Sequence, residues 1–262
     1  MATDGSNIHE SSLVNSNRTM NGTAPKITLY TNHGCPFAQR AHITLDELNT
    51  PYEEVIIDLE APRPQWYLDI NPRGLVPAIA YTAPGSSQQE VITESAIVSQ
   101  FLCDHYPTHL SPASNASPSA ALTRARMSFF RETWESKIQP SQFAVTRAKS
   151  TVEKEEKLVE CMTLIGETIE PLLANADPFF GGSGKLTFAE VMTAPFVQRF
   201  VALAEDGELV PKAFLNEMEK LPNFARWVKA VLAHGNATRI FEKERFLEFT
   251  RKRMENVRET KQ

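Results

Sequence analysis

The hydrophobic and polar positions of the N-terminal part of the chain change period several times, as expected where strands alternate with helices. Residues 26–30 alternate like a strand, and residues 36–49 carry apolar side chains at helical spacing. The same criteria predict strands at 52–57, 76–81 and 90–92, a short helix around 64–67 and a helix at 94–106. A βαβ unit followed by a ββα unit predicts an α/β domain over residues 25–106.

Beyond residue 120, nearly every segment has helical period. Apolar side chains at helical spacing predict helices over 122–134, 158–172 and 221–228, and residues 242–258 are predicted to form a charged terminal helix. Thr187 and Glu190 have the spacing of a capping box, which predicts a helix beginning at Thr187. Residues 120–262 are therefore predicted to form an all-α domain.

Two polar segments mark the limits of these domains. Residues 107–119 contain three prolines and several serines, which predicts a linker. Residues 1–24 are rich in Ser, Asn, Thr and Gly and hold few large apolar side chains. Such a segment buries too little surface to offset its ordering entropy, so we expect a disordered tail.

Composition narrows the classes of function. The chain has 262 residues, of which 42% are hydrophobic, and a formal charge of −5. This charge leaves no basic footprint for nucleic acid. No apolar stretch is long enough to span a bilayer, and the polar N-terminal segment is unlike a signal peptide. We therefore expect no nucleic acid or membrane partner, and a cytoplasmic location.

The three cysteines, an odd number, indicate reduced thiols rather than a disulfide framework. Cys103 and Cys161 lie in apolar helical stripes and are expected to be inert. Cys35 instead lies between Gly34 and Pro36 at a strand-to-helix turn. A helix N-terminus lowers a cysteine pKa from roughly 8.5 to roughly 3.5–7.5, which predicts a nucleophile. The alternative, that of a small buried hydrophobe, is the commoner fate of a free cysteine.

Two further patterns accompany this cysteine. In the run 71–77, Asn-Pro-Arg-Gly-Leu-Val-Pro, Pro77 opens a strand to which it cannot donate, which indicates an edge, a bulge or a turn. A cis bond would suit such a turn and aim the backbone of Val76 at an extended peptide, although base frequencies favour trans. Glu94 and Ser95 begin a helix and can bind an ammonium and a carboxylate. Simple N-capping is the favoured alternative on these residues alone.

Taken in order, these motifs resemble one family. Residues 26–250 resemble a cytosolic glutathione transferase, in which a thioredoxin-like domain is joined to a helical bundle. The run Cys35-Pro36-Phe37-Ala38 is similar to that of the omega class. The resemblance implies glutathione as co-substrate, a small electrophilic or disulfide second substrate, a homodimer and a role in detoxification. Phe101 and Leu102 are apolar enough for a dimer contact but equally suit the core, and no metal cluster is expected.

The resemblance also implies roles for single residues. Cys35 would form the mixed disulfide with glutathione, and Val76 would pair through its backbone with the cysteinyl part of the tripeptide. Pro77 would be the cis-proline of the family. Glu94 and Ser95 would bind the γ-glutamyl group.

The remaining site residues are also carried over from the family. Arg63 matches a basic position for the glycine carboxylate, where Lys would be usual. Phe37 would line the site, although packing of the first helix onto the sheet explains it equally well. Candidates for an electrophile pocket between the domains are His33, Phe129, Phe130, Trp134 and Phe143. Each of these is more often a core residue than a ligand contact, and His33 could also stabilise the thiolate.

The thiol defines the expected mechanism. Its thiolate would displace R–SH from a glutathione mixed disulfide, and a second glutathione would resolve the product. Ala38 occupies the position of a resolving cysteine, so the cycle needs one cysteine only. Dehydroascorbate reduction is chemically related, whereas conjugation of aryl halides should be poor. Two alternatives stay open, a pathway-specific transferase that conjugates glutathione and a non-catalytic binding module.

Overall fold

The structure is a computed structural model that describes residues 24–259, so the tail predicted at residues 1–24 lies outside it apart from residue 24. The N-terminal part contains the predicted strands and helices in the predicted order. They are β1 (Lys26–Thr31), α1 (Pro36–Glu47), β2 (Glu53–Ile56), α2 (Gln65–Ile70), β3 (Ala78–Thr82), β4 (Gln89–Thr93) and α3 (Ser95–His105).

These strands form one mixed sheet in the order β2-β1-β3-β4. β1 is parallel to β2 and antiparallel to β3, so Tyr30 faces Val55 on one side and Ala78 on the other. β4 is antiparallel to β3. Leu102 is fully buried in the core against this sheet, whereas Phe101 is partly buried and packs on Tyr81. The thioredoxin-like fold predicted from the sequence is confirmed.

The C-terminal part is helical. Its α-helices are α4 (Pro118–Thr133), α5 (Gln139–Arg147), α6 (Thr151–Leu164), α7 (Phe188–Asp206), α8 (Ala213–Glu219), α9 (Pro222–Ala233), α10 (Gly235–Thr238) and α11 (Lys243–Glu259). π-helical turns continue α4 over Trp134–Ile138 and α6 over Ile165–Ile169. Ser117 caps α4 through its side chain, so the last residues of the predicted linker are helical. No helix of residues 24–259 is long and apolar enough to cross a membrane.

α7 is the central helix of this bundle, and its residues 188–204 are all buried. The predicted capping box is present at its start, with Thr187 as the N-cap and Glu190 reaching back to it. The Glu190 carboxyl is fully buried and also accepts hydrogen bonds from the backbone of Phe180 at 2.9 Å and from the Trp227 indole at 2.7 Å. The capping carboxyl therefore joins three separate segments of the bundle.

The two parts of the molecule meet along α1. The Arg40 guanidinium donates to the carbonyl of Met192 in α7 at 2.9 Å. The Gln39 amide donates to the carbonyl of Ala237 in α10 at 2.8 Å. These bonds fix the helix that begins beside Cys35 against the C-terminal bundle.

We expect Glu190→Ala to lower the free energy of unfolding by at least about 3 kcal/mol. The substitution leaves several buried donors unsatisfied, and each such donor costs about 1–3 kcal/mol. Urea unfolding followed by circular dichroism measures the change, with the exposed Glu132→Ala as a control expected within about 0.5 kcal/mol of the parent protein. Equal stabilities of the two variants would contradict the structural role of this carboxyl.

Candidate active site

A cavity of about 270 Å³ opens between the β1–α1 turn, the segment before β3 and the start of α3. It is lined by Cys35, Phe37, Leu59, Arg63, Asn71, Leu75, Val76, Pro77, Glu94 and Ser95. The structure thus brings together all seven residues that the sequence singled out for catalysis or glutathione binding. Three further residues line the wall without having been predicted as site residues; they are Leu59, which no motif marked, and Asn71 and Leu75, which lie in the run 71–77.

Cys35 is the N-cap residue of α1, and Pro36 follows at the first helical position. Its backbone N–H donates to the carbonyl of Asn32 at 3.0 Å, which closes the turn after β1. The half-buried thiol lies 3.9 Å from the carbonyl oxygen of Val76, to which it donates. Cys35 is therefore placed with its sulfur on the cavity wall, beside the backbone that was predicted to bind a peptide.

The electrostatics of this thiol differ from the sequence prediction. Burial raises the pKa of Cys35 above its ordinary value, and this exceeds the lowering by the backbone N–H groups of Ala38 and Phe37 and by the positive charges of Arg199 and Arg40. The prediction of a lowered pKa is wrong, because it counted the helix N-terminus and omitted desolvation.

The other two thiols are buried as expected. Burial raises the pKa of Cys103 to about 12 and that of Cys161 to about 11. Both therefore remain protonated at neutral pH. Of the three thiols, only Cys35 lines the cavity.

The segment before β3 is held by buried hydrogen bonds to the carbonyl of Leu75, from the Tyr67 hydroxyl at 2.6 Å and from the Asn71 amide at 2.8 Å. The Val76–Pro77 peptide bond is cis, as the family resemblance implied and base frequencies did not. Pro77 immediately precedes β3, so a central strand loses no donor to it. Asn71 is the anchor that sequence reasoning overlooked.

Glu94 and Ser95 lie at the opposite wall. The Glu94 backbone has φ 69°, which is uncommon for a residue with a side chain, and its carboxylate is ion-paired with Arg73. Glu94 occupies the N-cap position of α3, as the N-capping interpretation expected, but its side chain makes no capping bond. The buried Ser95 hydroxyl accepts a hydrogen bond from Arg40 at 3.1 Å. Arg73 and Arg40 are further site neighbours that sequence reasoning did not identify.

Arg63 forms part of the cavity rim through its contacts with backbone carbonyls. Its guanidinium donates to Gly74 at 3.0 Å, to Asp58 at 2.7 Å and to Ala61 at 2.6 Å. Gly74 has φ 61°, and a Cβ there would lie 3.1 Å from the Arg63 side chain. Arg63 therefore packs against a turn that requires glycine, and its role toward a carboxylate stays a prediction.

Phe37 is 39% exposed at the cavity and meets the ring of Phe196 edge-on at 5.2 Å. Because Phe196 belongs to α7, the aromatic side chain contacts the helical bundle as well as lining the cavity. The proposed role of Phe37 in the site stays a prediction.

None of the five candidates for an electrophile pocket lines this cavity. Phe130 and Trp134 are fully buried in the helical core, because both point into the bundle around α7. Phe129 and Phe143 are exposed, by 58% and 41%, and a role for them in binding an electrophile stays a prediction. The prediction is wrong for the two core residues.

His33 is paired with a carboxylate and is not simply exposed. Its Nε2 lies 2.5 Å from Glu54, and this hydrogen bond raises the pKa of His33. The neighbouring His42 contacts Thr31 at 2.9 Å, and burial lowers its pKa to about 3. The ligand-type atoms of His33, His42 and Glu54 lie within 4.8 Å of one another, a grouping that the sequence prediction of no metal cluster missed. All three side chains are hydrogen-bonded within the protein.

The fold and the site define a thioredoxin-like domain that carries a cysteine-bearing cavity and is joined to a helical bundle. Residues 29–112 match the model of the glutathione S-transferase N-terminal domain, and residues 152–230 match that of the C-terminal domain. Together these ranges span well over half of the chain. The chain therefore belongs to the glutathione S-transferase family.

Individual relatives show where in this family it lies. It is 29% identical to mouse glutathione S-transferase omega-1 over 178 residues, which is 68% of each protein. It is 40% identical to pyrimidodiazepine synthase of Drosophila melanogaster over 82 residues, and this match spans only 32% of that protein. The crystal structure of glutathione transferase Omega 2C from Trametes versicolor superposes with a TM-score of 0.73 at 29% identity, covering 87% of this chain and 99% of that one. The similarity to omega-class proteins agrees with the Cys35-Pro36-Phe37-Ala38 run.

Because burial raises the pKa of Cys35, we expect its alkylation by iodoacetamide to titrate at a higher pH than that of a free cysteine peptide measured alongside. Only the thiolate reacts, so the rate should be low at neutral pH and still increase in alkaline buffer. Peptide mass spectrometry of timed samples follows each cysteine separately, and Cys35 should be labelled before Cys103 and Cys161. A titration midpoint below that of the free peptide would contradict this account of the site.

Proposed function

We propose that this protein is a glutathione-dependent thioltransferase that reduces glutathione mixed disulfides through a covalent Cys35–glutathione intermediate. The observation that carries the proposal is that the reactive-type side chain at the start of α1 is a cysteine thiol and not a hydroxyl group. A cysteine sulfur lies there, on the wall of a cavity that the backbone of Val76 also lines. A hydroxyl group could only stabilise the thiolate of glutathione, whereas a cysteine can itself attack a disulfide.

The reaction proceeds by two exchanges of thiol and disulfide. The Cys35 thiolate attacks the glutathione sulfur of a mixed disulfide, the new sulfur–sulfur bond forms, and R–S⁻ leaves and takes up a proton from water. The thiolate of a second glutathione then attacks the bound glutathione sulfur, which releases oxidised glutathione and the Cys35 thiolate. Ala38 leaves α1 without a second thiol one turn from Cys35, so glutathione itself must resolve the intermediate.

The walls of the cavity suit the parts of the tripeptide. The backbone of Val76 would pair with the cysteinyl residue, as an added strand pairs with a sheet edge. Glu94 would bind the ammonium of the γ-glutamyl group, and Ser95 with the N-terminus of α3 would bind its carboxylate. Arg63 would meet the glycine carboxylate after exchanging one of its carbonyl contacts. The same thiol chemistry would also support reduction of dehydroascorbate. The protein would act in the cytoplasm as a homodimer.

A second candidate is a pathway-specific transferase that adds glutathione to one reactive small molecule. It is favoured by the similarity to pyrimidodiazepine synthase, a relative whose name denotes the synthesis of a particular small compound. In that case Cys35 would be a neighbour of the reacting thiol and not the nucleophile. A protein that binds glutathione but supports neither reaction would be a binding module.

We expect Cys35→Ser to reduce the rate of mixed-disulfide reduction by at least about 10³-fold, because a serine hydroxyl is not ionised at neutral pH and does not attack sulfur. The assay follows NADPH oxidation coupled to glutathione reductase, with glutathionylated cysteine as substrate. Cys103→Ala, which removes a buried thiol, is the matched control and should keep the rate within about twofold. Retained reduction in Cys35→Ser, together with conjugation in the parent protein, would favour the second candidate.

We expect Glu94→Gln to increase the KM for the glutathione mixed disulfide about tenfold while changing kcat little. The substitution removes the charge that pairs with the substrate ammonium, and a charge-assisted hydrogen bond contributes about 1.5–3 kcal/mol. Glu90→Gln, an exposed carboxylate on the adjacent strand β4, is the control. An unchanged KM in Glu94→Gln would remove Glu94 from the proposed site.

A further inference from the structure

Arg199 of α7 reaches across the domain interface to the turn that carries Cys35. Its Nη2 donates to the carbonyls of His33 at 3.4 Å and Gly34 at 3.3 Å, the two residues that precede the cysteine. Its Nη1 donates to the Gln39 side chain at 2.5 Å, one turn into α1. One guanidinium therefore contacts both sides of Cys35 in the chain.

The positive charge of Arg199 is buried without a compensating anion. The side chain is only 6% exposed, and the rings of Phe241 and Phe246 cover it at 4.9 Å and 5.6 Å. Among the side chains described through residue 256, no carboxylate lies within ion-pairing distance of it. Its Nε also has no hydrogen-bond partner. Burying an unpaired charge is costly, so the arrangement calls for an anion that is formed only part of the time.

The other charged groups around the cavity already have partners. Arg40, equally buried, is paired with Glu135 at 2.8 Å. Glu94 is paired with Arg73, and Arg63 donates to backbone carbonyls. Arg199 is thus a deeply buried cation beside Cys35 that no carboxylate of the described residues neutralises, whereas Arg63, which also lacks a carboxylate partner, is only half-buried at the cavity rim. Burial lowers the pKa of Arg199 only to about 10, so the group stays charged at neutral pH.

We propose that Arg199 is the positioning residue for Cys35, holding the turn before the thiol and reserving a buried positive charge for the sulfur when it becomes a thiolate. In the attacking step, negative charge spreads over the three sulfur atoms of the exchange, and a fixed cation behind Cys35 stabilises that charge with no reorganisation. The inference rests on Cys35 as the reactive thiol, but not on which disulfide or electrophile it attacks.

The test measures the pH dependence of Cys35 alkylation by iodoacetamide, which needs neither glutathione nor a disulfide substrate. Arg199→Met should reduce the rate at about pH 8 by roughly tenfold, a shift of about one pKa unit, with little change at a pH where the thiol is fully ionised. Arg199→Lys keeps the charge and should recover most of the rate. Arg147→Met is the control, since Arg147 also lies over an aromatic ring, Phe143 at 5.3 Å, without a described contact to the Cys35 turn.

Two results would overturn the proposal. The first is an alkylation rate of Arg199→Met with the same pH dependence as that of the parent protein. The second is an alkylation rate of Arg199→Lys whose pH dependence is shifted as far from that of the parent protein as the pH dependence of Arg199→Met. If Arg199→Met fails to fold, the parent protein provides a second measurement through the rate ratio of anionic iodoacetate to neutral iodoacetamide. A buried free cation at Cys35 predicts a ratio several-fold above that of a free cysteine peptide, and an equal or lower ratio would refute it.

Discussion

The position of the Cys35 sulfur depends on the burial of α1 on all sides. Residues 38–45 are buried without interruption, although Gln39, Arg40, His42 and Thr44 are polar. Buried polar groups destabilise a fold unless each forms a hydrogen bond. A helix with several buried polar side chains is therefore stable only in a position where those side chains can form their hydrogen bonds. Thr44 donates to the carbonyl of Arg40 within the helix, and the other three polar side chains find partners in the sheet, in α3 and in the C-terminal bundle.

This constraint explains why the cavity needs both domains although its lining comes from one. The walls are formed by the N-terminal domain, but Arg40 and Gln39 tie its central helix to α7 and α10. Arg199 adds a contact with the turn before the thiol. The C-terminal bundle thereby contributes to the position and the electrostatic surroundings of Cys35, while Val76 and the start of α3 form the facing walls of the cavity.

Local patterns predicted the elements well because their causes are local. Alternation specified the strands, and the Thr187–Glu190 spacing specified the start of α7. The motif residues gathered in one cavity because they follow strand ends and helix starts that a known fold brings together. The pKa of Cys35 could not be predicted in this way, since it depends on how much water the assembled structure excludes from the sulfur.

Hydrogen bonds between residues far apart in the chain could not be predicted from local patterns either, because they also depend on the assembled structure. The contacts of Arg199 with Gln39 and of Arg40 with Met192 join residues far apart in the chain, and an arginine in a helix is expected to face solvent. Phe130 and Trp134 show the opposite case. Their helical spacing revealed an apolar stripe, but only the assembled bundle shows that the stripe packs on α7 and not on a ligand.

The most direct test of the central claim is a crystal structure of the protein grown with oxidised glutathione. We predict a sulfur–sulfur bond between Cys35 and glutathione, with the tripeptide extended along the backbone of Val76 and its γ-glutamyl group at Glu94 and Ser95. Glutathione bound elsewhere, or held in this cavity with its sulfur turned away from Cys35, would contradict the account.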